Sequence, residues 1–286
     1  MATSETAKRV AVAAVGIPVA VGAVVAGGWT LATLLALASV LAALEFHRLA
    51  AAKGVHSLAI PSALAAAGFV AVAAYAPAAG PGHPARAALV VLLVLGSVAG
   101  AIWARGVQGQ PVLAISATVF GALYTGGLLA FGVYLRHLPG VVDRWHGTAL
   151  VFAPVLLTWT NDSCAYFVGR AFGRRKLVPK VSPGKTVEGT LGALAGTIVV
   201  AVAYTWVLGR FPTYRLGFVE AAAFGALVSV AAVVGDLAES LLKRDAGVKD
   251  SGTLLPGHGG ALDRFDSLFF TLPLAYYFFR YAVGAP

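Results

Sequence analysis

The chain has 286 residues, of which 59% are hydrophobic and 12% are charged, with a formal net charge of +9. Soluble domains carry about 25% charged residues, so this composition excludes an ordinary soluble domain and indicates an integral membrane protein. The apolar runs are long and do not alternate with polar residues, which favours membrane-spanning helices over barrel strands.

Nine apolar segments can be drawn as transmembrane helices, which predicts an all-α, polytopic membrane protein. The first segment is too long for the apolar part of a signal peptide, so we interpret it as a retained helix. The predicted spans are Val10–Gly27, Leu31–Leu44, Leu58–Tyr75, Ala87–Trp103, Val112–Tyr134, Leu150–Val168, Leu191–Leu208, Phe218–Leu242 and Leu268–Val283.

The basic residues of the loops predict the orientation, because Lys and Arg accumulate on the cytoplasmic side of a membrane. With a cytoplasmic N-terminus and nine spans, fifteen of the 21 Lys and Arg residues lie in cytoplasmic segments. The basic excess therefore does not require nucleic acid as a partner. The same orientation places the two polar loops, residues 169–188 and 243–266, on the cytoplasmic face.

The unusual polar residues lie almost entirely in the second half of the chain. We therefore predict that residues 1–149 form N-terminal helices for packing and lipid access, and that residues 150–286 form the catalytic region. The single cysteine, Cys164, excludes an intrachain disulfide, and its position in an apolar run is typical of a small buried side chain.

The eighth predicted span carries Asp236, Glu239, Ser240 and Lys243 at a spacing that places them on one helix face. Acidic residues in a membrane span are costly unless they face a wet cavity or pair with another group. One interpretation is a Glu239–Lys243 salt bridge at the end of the span. The other is that Asp236 faces a water-filled site and binds a cation.

The loop before the ninth span adds further candidates. Asp263 and Asp266 are three residues apart at the start of that span, and paired carboxylates of this kind suit Mg²⁺. Helix capping is the simpler explanation for one of them. The glycines of the His258-Gly259-Gly260 turn could bring backbone N–H groups close to a phosphate.

The other polar loop, residues 169–188, is basic and contains Arg170, Lys185 and the sequence SPGKT from Ser182 to Thr186. Contact with anionic headgroups explains part of this charge. The SPGKT sequence reads as a turn that opens the seventh helix, with Glu188 in its first turn, and such a helix start could receive a phosphate. The spacing of a P-loop is absent.

Two long stretches resemble phosphatidate cytidylyltransferases (CDP-diacylglycerol synthases). The first comprises Ser240, Lys243, Arg244, Lys249, Asp250, Pro256, His258, Gly259, Gly260, Asp263, Arg264 and Asp266. The second comprises Asp162, Ala165, Tyr166, Gly169, Arg170, Phe172, Gly173, Lys176, Leu177, Ser182, Pro183, Lys185, Thr186, Glu188 and Gly189. Glu45, Phe46 and Arg48 are similar too. Gly184 departs from the Lys or Asn usual in the family, which leaves one fewer charge at that turn.

The resemblance implies that CTP and phosphatidic acid give CDP-diacylglycerol and pyrophosphate, with Mg²⁺ and a monovalent cation such as K⁺ beside it. It implies a multi-pass protein of the inner cell membrane whose active site faces the cytoplasm, with the bilayer, CTP and phosphatidic acid as partners and a homodimer as a further expectation.

Under this hypothesis Asp236 and Asp263 bind the metal and Asp266 joins them. The predicted catalytic residues are Asp236, Lys243, His258 and Asp263. The predicted substrate-binding residues are Asp162, Tyr166, Arg170, Ser182, Lys185, Ser240, Arg244, Lys249, Asp250, Gly259, Gly260 and Arg264.

Two other functions fit parts of the sequence. A cation or phosphate transporter would also carry acids inside its spans, although it would more often show repeated halves. A related CTP-using lipid enzyme, such as a polyprenol kinase or an archaeol-type cytidylyltransferase, would share the metal and CTP features and differ in its acceptor.

Overall fold

A computed structural model of the chain describes residues 2–252 and 259–283, and for residues 2–13 it describes the backbone only. Eleven α-helices account for most of the described residues. They are α1 (Ala2–Ala26), α2 (Gly28–Ala52), α3 (Ala59–Tyr75), α4 (Pro84–Ala104), α5 (Pro111–Ala122), α6 (Leu128–Arg136), α7 (Arg144–Phe172), α8 (Val187–Leu208), α9 (Phe218–Asp245), α10 (Leu262–Phe265) and α11 (Leu268–Tyr277).

Each of the nine predicted spans falls on helical structure, so the helical membrane fold is confirmed. The fifth span is not one uniform helix, because a π-helical turn from Leu123 to Gly127 joins α5 to α6. The ninth span likewise ends in a π-helical turn, from Phe278 to Ala282. Between α3 and α4 the Pro/Gly-rich segment forms a 3₁₀ helix, Pro77–Gly82.

Among the described residues, five helical segments are long and apolar enough to cross a membrane. They are Gly28–Ala52, Pro84–Ala104, Pro111–Arg136, Val187–Leu208 and Phe218–Asp245. Two shorter apolar segments accompany them: Ala14–Ala26, which is the second half of α1, and Ala59–Tyr75, which is α3. The protein is therefore a multi-pass membrane protein, while the total of nine spans and the cytoplasmic N-terminus remain predictions.

Local sequence explains where several helices begin. Pro84 and Pro111 occupy the first positions of α4 and α5, where the missing N–H is not needed for an intrahelical bond. Asp143 caps α7 by accepting a hydrogen bond from the His146 N–H at 2.8 Å. Thr186 caps α8 in the same way, with its hydroxyl 3.1 Å from the Gly189 nitrogen.

A short hairpin precedes α8. Strands β1 (Lys176–Val178) and β2 (Ser182–Thr186) pair antiparallel. The SPGKT sequence is therefore a strand that leads directly into the helix, and the predicted turn is wrong at this point. Glu188 does lie in the first turn of α8 as predicted. Its carboxylate accepts hydrogen bonds from the Arg174 and Arg175 backbone N–H groups at 2.9 and 3.1 Å.

The chain forms two compact units. The first comprises residues 1–134 and 242–265, and the second comprises residues 135–241 and 266–286. In the first unit, α2 packs against α3 and also contacts α10. The boundary falls within α9, so this division differs from the division of roles that we predicted at residue 149, which stays a prediction.

In the second unit, α7 and α8 pack closely through small residues. A Cβ atom at Gly192 would lie 2.6 Å from the Val168 side chain. A Cβ at Gly196 would overlap the sulfur of Cys164. Close approach through glycines is typical of membrane helix pairs, and here it holds the start of α8, and with it β2, against α7.

Candidate active site

The polar face predicted for the eighth span lies on one continuous helix, since α9 runs unbroken from Phe218 to Asp245. Asp236, Ser240 and Lys243 follow one another at intervals of four and three residues and therefore share a face of α9. Glu239, on the same helix, is 1% exposed.

The first group of polar side chains belongs to the second unit, and we call it the Asp236 cluster: Asp162, Lys185, Asp236 and Ser240. The Lys185 Nζ lies 2.8 Å from an Asp236 carboxylate oxygen, and the two side chains are 22% and 33% exposed. Ser240 Oγ lies 3.3 Å from the other oxygen. Asp162, from α7, interacts electrostatically with both Asp236 and Lys185. One lysine thus faces two carboxylates.

Two buried residues that we did not assign to the site support this cluster. The Ser229 hydroxyl donates to Asn161 Oδ1 at 2.7 Å, and both residues are 1% exposed. The Asn161 side chain also interacts with the Asp162 carboxylate. Because Ser229 fixes the amide oxygen of Asn161, the amide NH₂ is the group available to Asp162. The neighbouring Asn161 and Asp162 within one apolar span were the sequence signal that could have indicated this support.

The second group belongs to the first unit, and we call it the Asp263 cluster: Lys243, Ser251, Gly260 and Asp263. Lys243 Nζ lies 2.6 Å from Asp263 Oδ1, and the two side chains are 13% and 6% exposed. Asp263 Oδ2 accepts hydrogen bonds from the Ser251 nitrogen, the Ser251 hydroxyl and the Gly260 nitrogen at 2.9, 2.8 and 2.8 Å. Both oxygens of this carboxylate are therefore held by protein donors.

The glycines beside Asp263 are required by the carboxylates around them. Gly259 has φ +77, and a Cβ there would lie 2.6 Å from Asp263 Oδ2. The Gly260 N–H donates to Asp263, so in this structure it binds the carboxylate and not a phosphate. A phosphate cradle at Gly259 and Gly260 stays a prediction, and His258 lies outside the described residues.

Asp266 does not share a helix with Asp263 in the way that we predicted. Helix α10 ends at Phe265 and α11 begins at Leu268, so Asp266 lies in the turn between them. Its Oδ1 accepts a hydrogen bond from the Ser267 nitrogen at 2.6 Å. Because the helix is interrupted, the three-residue spacing does not align these two aspartates on a common helical face.

The basic loop places its charges near the end of α7. Arg170 donates to the Tyr166 hydroxyl at 2.9 Å, and both residues are exposed. A cavity of about 650 Å³ is lined by residues 171–175 and Glu188. Ser182 is half-buried on β2. The cavity and the exposed Arg174 and Arg175 form an open basic surface on which an anionic group could bind.

The remaining predicted residues lie around the end of α9 and on α10. Arg244 is exposed, and its guanidinium is 3.3 Å from the Val248 carbonyl oxygen. Lys249, Asp250 and Arg264 are also exposed. Exposed cations of this kind are available to a phosphorylated substrate.

The sequence prediction overlooked the part that Glu45 plays near Asp263. This residue of α2 is 3% exposed, and its carboxylate accepts hydrogen bonds from the Ala261 and Leu262 nitrogens at 3.0 and 2.7 Å. Its position as an acid directly after the second predicted span, among the residues that resemble the family, was the available signal. No spacing rule connects it to residues more than 200 positions away.

A divalent metal ion would need oxygen ligands from these side chains. Within the described ranges, no group of three or more His, Cys, Asp or Glu side chains could hold a metal by itself. Mg²⁺ commonly uses one or two carboxylates together with substrate phosphates and water. The half-exposed Asp236, whose second oxygen has the Ser240 contact at 3.3 Å, has the donor chemistry for such an ion.

Comparison with known proteins identifies the family. Residues 7–282 match the model of the cytidylyltransferase family. A phosphatidate cytidylyltransferase from Synechocystis is 33% identical over 299 residues, which covers 95% of each chain. The chloroplastic phosphatidate cytidylyltransferase 5 of Arabidopsis thaliana is 36% identical over 296 residues, or 93% of this chain and 70% of that protein.

Another relative matches over a shorter stretch of the chain. The uncharacterized protein YnbB of Escherichia coli is 44% identical over 167 residues, which is 58% of this chain and 54% of that protein. The match thus spans about half the length of YnbB. The agreement of the family model with nearly the whole sequence decides the assignment, and it confirms the resemblance found in the motifs: the chain belongs to the cytidylyltransferase family.

Proposed function

We propose that this protein transfers the cytidylyl group of CTP to phosphatidic acid, which forms CDP-diacylglycerol and releases pyrophosphate. The observation that carries the proposal is the full-length similarity to a protein named phosphatidate cytidylyltransferase. The multi-pass helical fold agrees with it, because a lipid acceptor is most accessible to a protein within the bilayer.

The chemistry requires no covalent enzyme intermediate, because the phosphate of phosphatidic acid is already an anionic nucleophile. One of its oxygens attacks the α-phosphorus of CTP, a new P–O bond forms, and the bond between the α- and β-phosphates breaks. Pyrophosphate leaves with the electron pair of that bond. The protein's part is then to position both substrates and to neutralise charge.

We assign the charged residues to the two substrates as follows. Lys243, Arg244, Lys249 and the turn at His258, Gly259 and Gly260 hold the triphosphate, and Arg170, Ser182 and Lys185 face the lipid phosphate or the pyrophosphate. Asp162 and Tyr166 line the proposed substrate site. The remaining predicted substrate contacts are Ser240, Asp250 and Arg264.

We also propose that the reaction uses Mg²⁺, held by Asp236 and Asp263 with Asp266 as a further ligand, and that a monovalent cation such as K⁺ accompanies it. When bound, the divalent ion would neutralise charge on the triphosphate and on the leaving pyrophosphate. Asp236 has an accessible carboxylate oxygen for such an ion. Both oxygens of Asp263 are held by protein donors in this structure, so its part as a ligand would require one of those contacts to open. The choice of these three residues rests on the sequence.

The orientation and assembly are part of the proposal. The distribution of Lys and Arg supports an active site that faces the cytoplasm, and we propose the inner cell membrane as its location. A homodimer is proposed as the assembly. Crosslinking in native membranes, followed by mass measurement in detergent, tests it, and a species with the mass of one chain under both conditions contradicts it.

The activity is tested with protein purified in detergent, CTP labelled in the cytidine, and a set of acceptors: phosphatidic acid, a polyprenol and an archaeol phosphate. We expect labelled CDP-diacylglycerol and stoichiometric pyrophosphate with phosphatidic acid and Mg²⁺, and neither product with EDTA. Phosphorylation of the polyprenol would indicate a kinase instead. Pyrophosphate release that is independent of phosphatidic acid would contradict the proposed acceptor.

A further inference from the structure

Glu45 is a buried carboxylate in α2 that the proposed reaction does not use directly. Its Oε1 accepts a hydrogen bond from the Ala261 nitrogen at 3.0 Å, and its Oε2 accepts one from the Leu262 nitrogen at 2.7 Å. Oε2 also lies 3.1 Å from the Ser251 hydroxyl. Burial of a carboxylate is costly unless its oxygens are hydrogen-bonded, so these contacts explain how Glu45 is accommodated.

The contacts of Glu45 and Asp263 are interleaved along the backbone. The Gly260 nitrogen donates to Asp263, whereas the next two nitrogens, those of Ala261 and Leu262, donate to Glu45. Three consecutive N–H groups are thus divided between the two carboxylates. A shift that breaks the hydrogen bonds of Ala261 and Leu262 to Glu45 would therefore also move the Gly260 N–H that donates to Asp263.

The Ser251 hydroxyl links the same two acids. Its Oγ lies 2.8 Å from Asp263 Oδ2 and 3.1 Å from Glu45 Oε2. A hydroxyl carries one proton and donates it to one acceptor at a time. The position of the Glu45 carboxylate therefore influences whether the Ser251 hydroxyl donates to Asp263. Asp263 in turn pairs with Lys243 at 2.6 Å.

Two glycines make room for the Glu45 side chain. A Cβ atom at Gly252 would lie 2.6 Å from Glu45 Oε1, and a Cβ at Gly260 would overlap the same carboxylate. The chain on both sides of residues 253–258 therefore approaches Glu45 so closely that a larger residue would displace it.

We propose that Glu45 is a positioning residue for the proposed reaction: it holds the segment from Gly259 to Asp263 so that Asp263 and Lys243 are presented to CTP. It acts through these residues and does not contact substrate. This inference rests on the proposed function for its kinetic consequence, while the structural part can be measured without any turnover.

The test compares Glu45→Gln, Glu45→Asp and the control Leu35→Ala. Glutamine keeps the size of the side chain but replaces one acceptor oxygen with an NH₂ donor, so one backbone N–H loses its partner. Aspartate keeps both acceptors on a shorter side chain. Leu35 is also on α2 and is 6% exposed. Its replacement by alanine leaves a cavity that lowers stability, and it removes no hydrogen bond from the segment.

Loss of a residue that orients a ligand group typically costs about 10- to 100-fold, and we expect this loss in kcat/KM for CTP with Glu45→Gln. The KM for phosphatidic acid should change less than about twofold, and Glu45→Asp should recover part of the loss. Leu35→Ala should lower the melting temperature and leave both KM values unchanged. Equal effects of Glu45→Gln and Leu35→Ala on these constants would overturn the proposal, as would wild-type kinetics in Glu45→Gln.

Hydrogen–deuterium exchange separates this inference from the proposed function. In Glu45→Gln, the amides of a peptide covering residues 259–265 should exchange about tenfold or more faster than in the wild type and in Leu35→Ala. Unchanged exchange would overturn the positioning role. If the wild type fails to form CDP-diacylglycerol while the exchange still accelerates, the proposed function is wrong and the positioning of the segment by Glu45 stands.

Discussion

The two lysine–aspartate pairs have the same chemistry and different surroundings. Lys185 and Asp236 are 22% and 33% exposed, and Asp236 has one long hydroxyl contact besides the lysine. Lys243 and Asp263 are 13% and 6% exposed, and Asp263 accepts three further hydrogen bonds. Asp236 is therefore more accessible to another cation, whereas Asp263 is enclosed by protein donors. The same two residue types therefore supply an adaptable contact in one unit and a fixed one in the other.

The largest effect should come from Asp263→Asn. An asparagine offers one acceptor oxygen in place of two and removes the negative charge that lies 2.6 Å from Lys243 Nζ. We expect kcat/KM to fall by at least about 10³-fold and the free energy of unfolding to fall by about 3–5 kcal/mol, as when one partner of a buried pair is removed. Product formation and the melting temperature in detergent measure the two effects.

The matched control for that substitution is Asp245→Asn. Asp245 is on the same helix as Lys243 and forms a surface ion pair with Lys53 at 3.4 Å, with its side chain 64% exposed. The kcat/KM and the free energy of unfolding of Asp245→Asn should remain close to those of the wild type, because surface ion pairs contribute little to stability. Near-normal product formation by Asp263→Asn would show that Asp263 is dispensable for the reaction.

Asp236→Asn should separate activity from stability. We expect a loss in kcat/KM of about 10²- to 10³-fold, because this carboxylate is a proposed metal ligand, and a change in unfolding free energy below about 1 kcal/mol, because the pair is partly exposed. Titration of activity with Mg²⁺ checks the assignment: the half-saturating concentration should rise. An unchanged Mg²⁺ requirement would assign the metal to other residues.

A double-mutant cycle on each pair measures the contrast directly. Replacing Lys243 with Met, Asp263 with Asn, and both together should give a coupling free energy above about 2 kcal/mol. The same cycle on Lys185 and Asp236 should give below about 1 kcal/mol and should weaken further in 0.5 M salt. Equal coupling energies would mean that burial does not distinguish the two pairs.

The smallest effect should come from Ser229→Ala, which removes the hydroxyl donor from Asn161. The lost hydrogen bond is worth about 1 kcal/mol, and activity should fall only a fewfold because Asn161 keeps its contact with Asp162. Ser39→Ala is the control, since the Ser39 hydroxyl donates to the Leu35 carbonyl within its own helix. A loss greater than that of Asp236→Asn would give Asn161 a larger part in the site than we infer.

The sequence predicted the helices and the polar face of α9 because both follow from regular spacing. It also proposed Lys185, Asp236, Lys243 and Asp263 as site residues, which stays a prediction, and it assigned the lysines to phosphates and the aspartates to metal. Their pairing could not be predicted, since Lys185 on β2 and Asp236 on α9 are about 50 residues apart in the chain and meet only in the folded protein. Tertiary contacts of this kind have no local period.

Two predictions differed from the structure for identifiable reasons. The SPGKT segment has Pro and Gly, which are typical of turns, yet it pairs with β1 as a strand. Asp263 and Asp266 have helical spacing, yet the chain leaves the helix after Phe265. Glu45 was visible as an acid in an apolar helix, and its link to α10 requires contacts across more than 200 residues.

The hairpin before α8 has a consequence for how the basic loop meets an anion. Thr186 caps the helix immediately after β2, and Glu188 holds the backbone at Arg174 and Arg175, so the loop is anchored at both ends. Ordering a free residue costs roughly 1–2 kcal/mol in backbone entropy. Here that ordering of the loop backbone is completed during folding, so the phosphate binding that we propose at this loop would not have to order it. Preorganisation of this kind improves affinity without adding any contact.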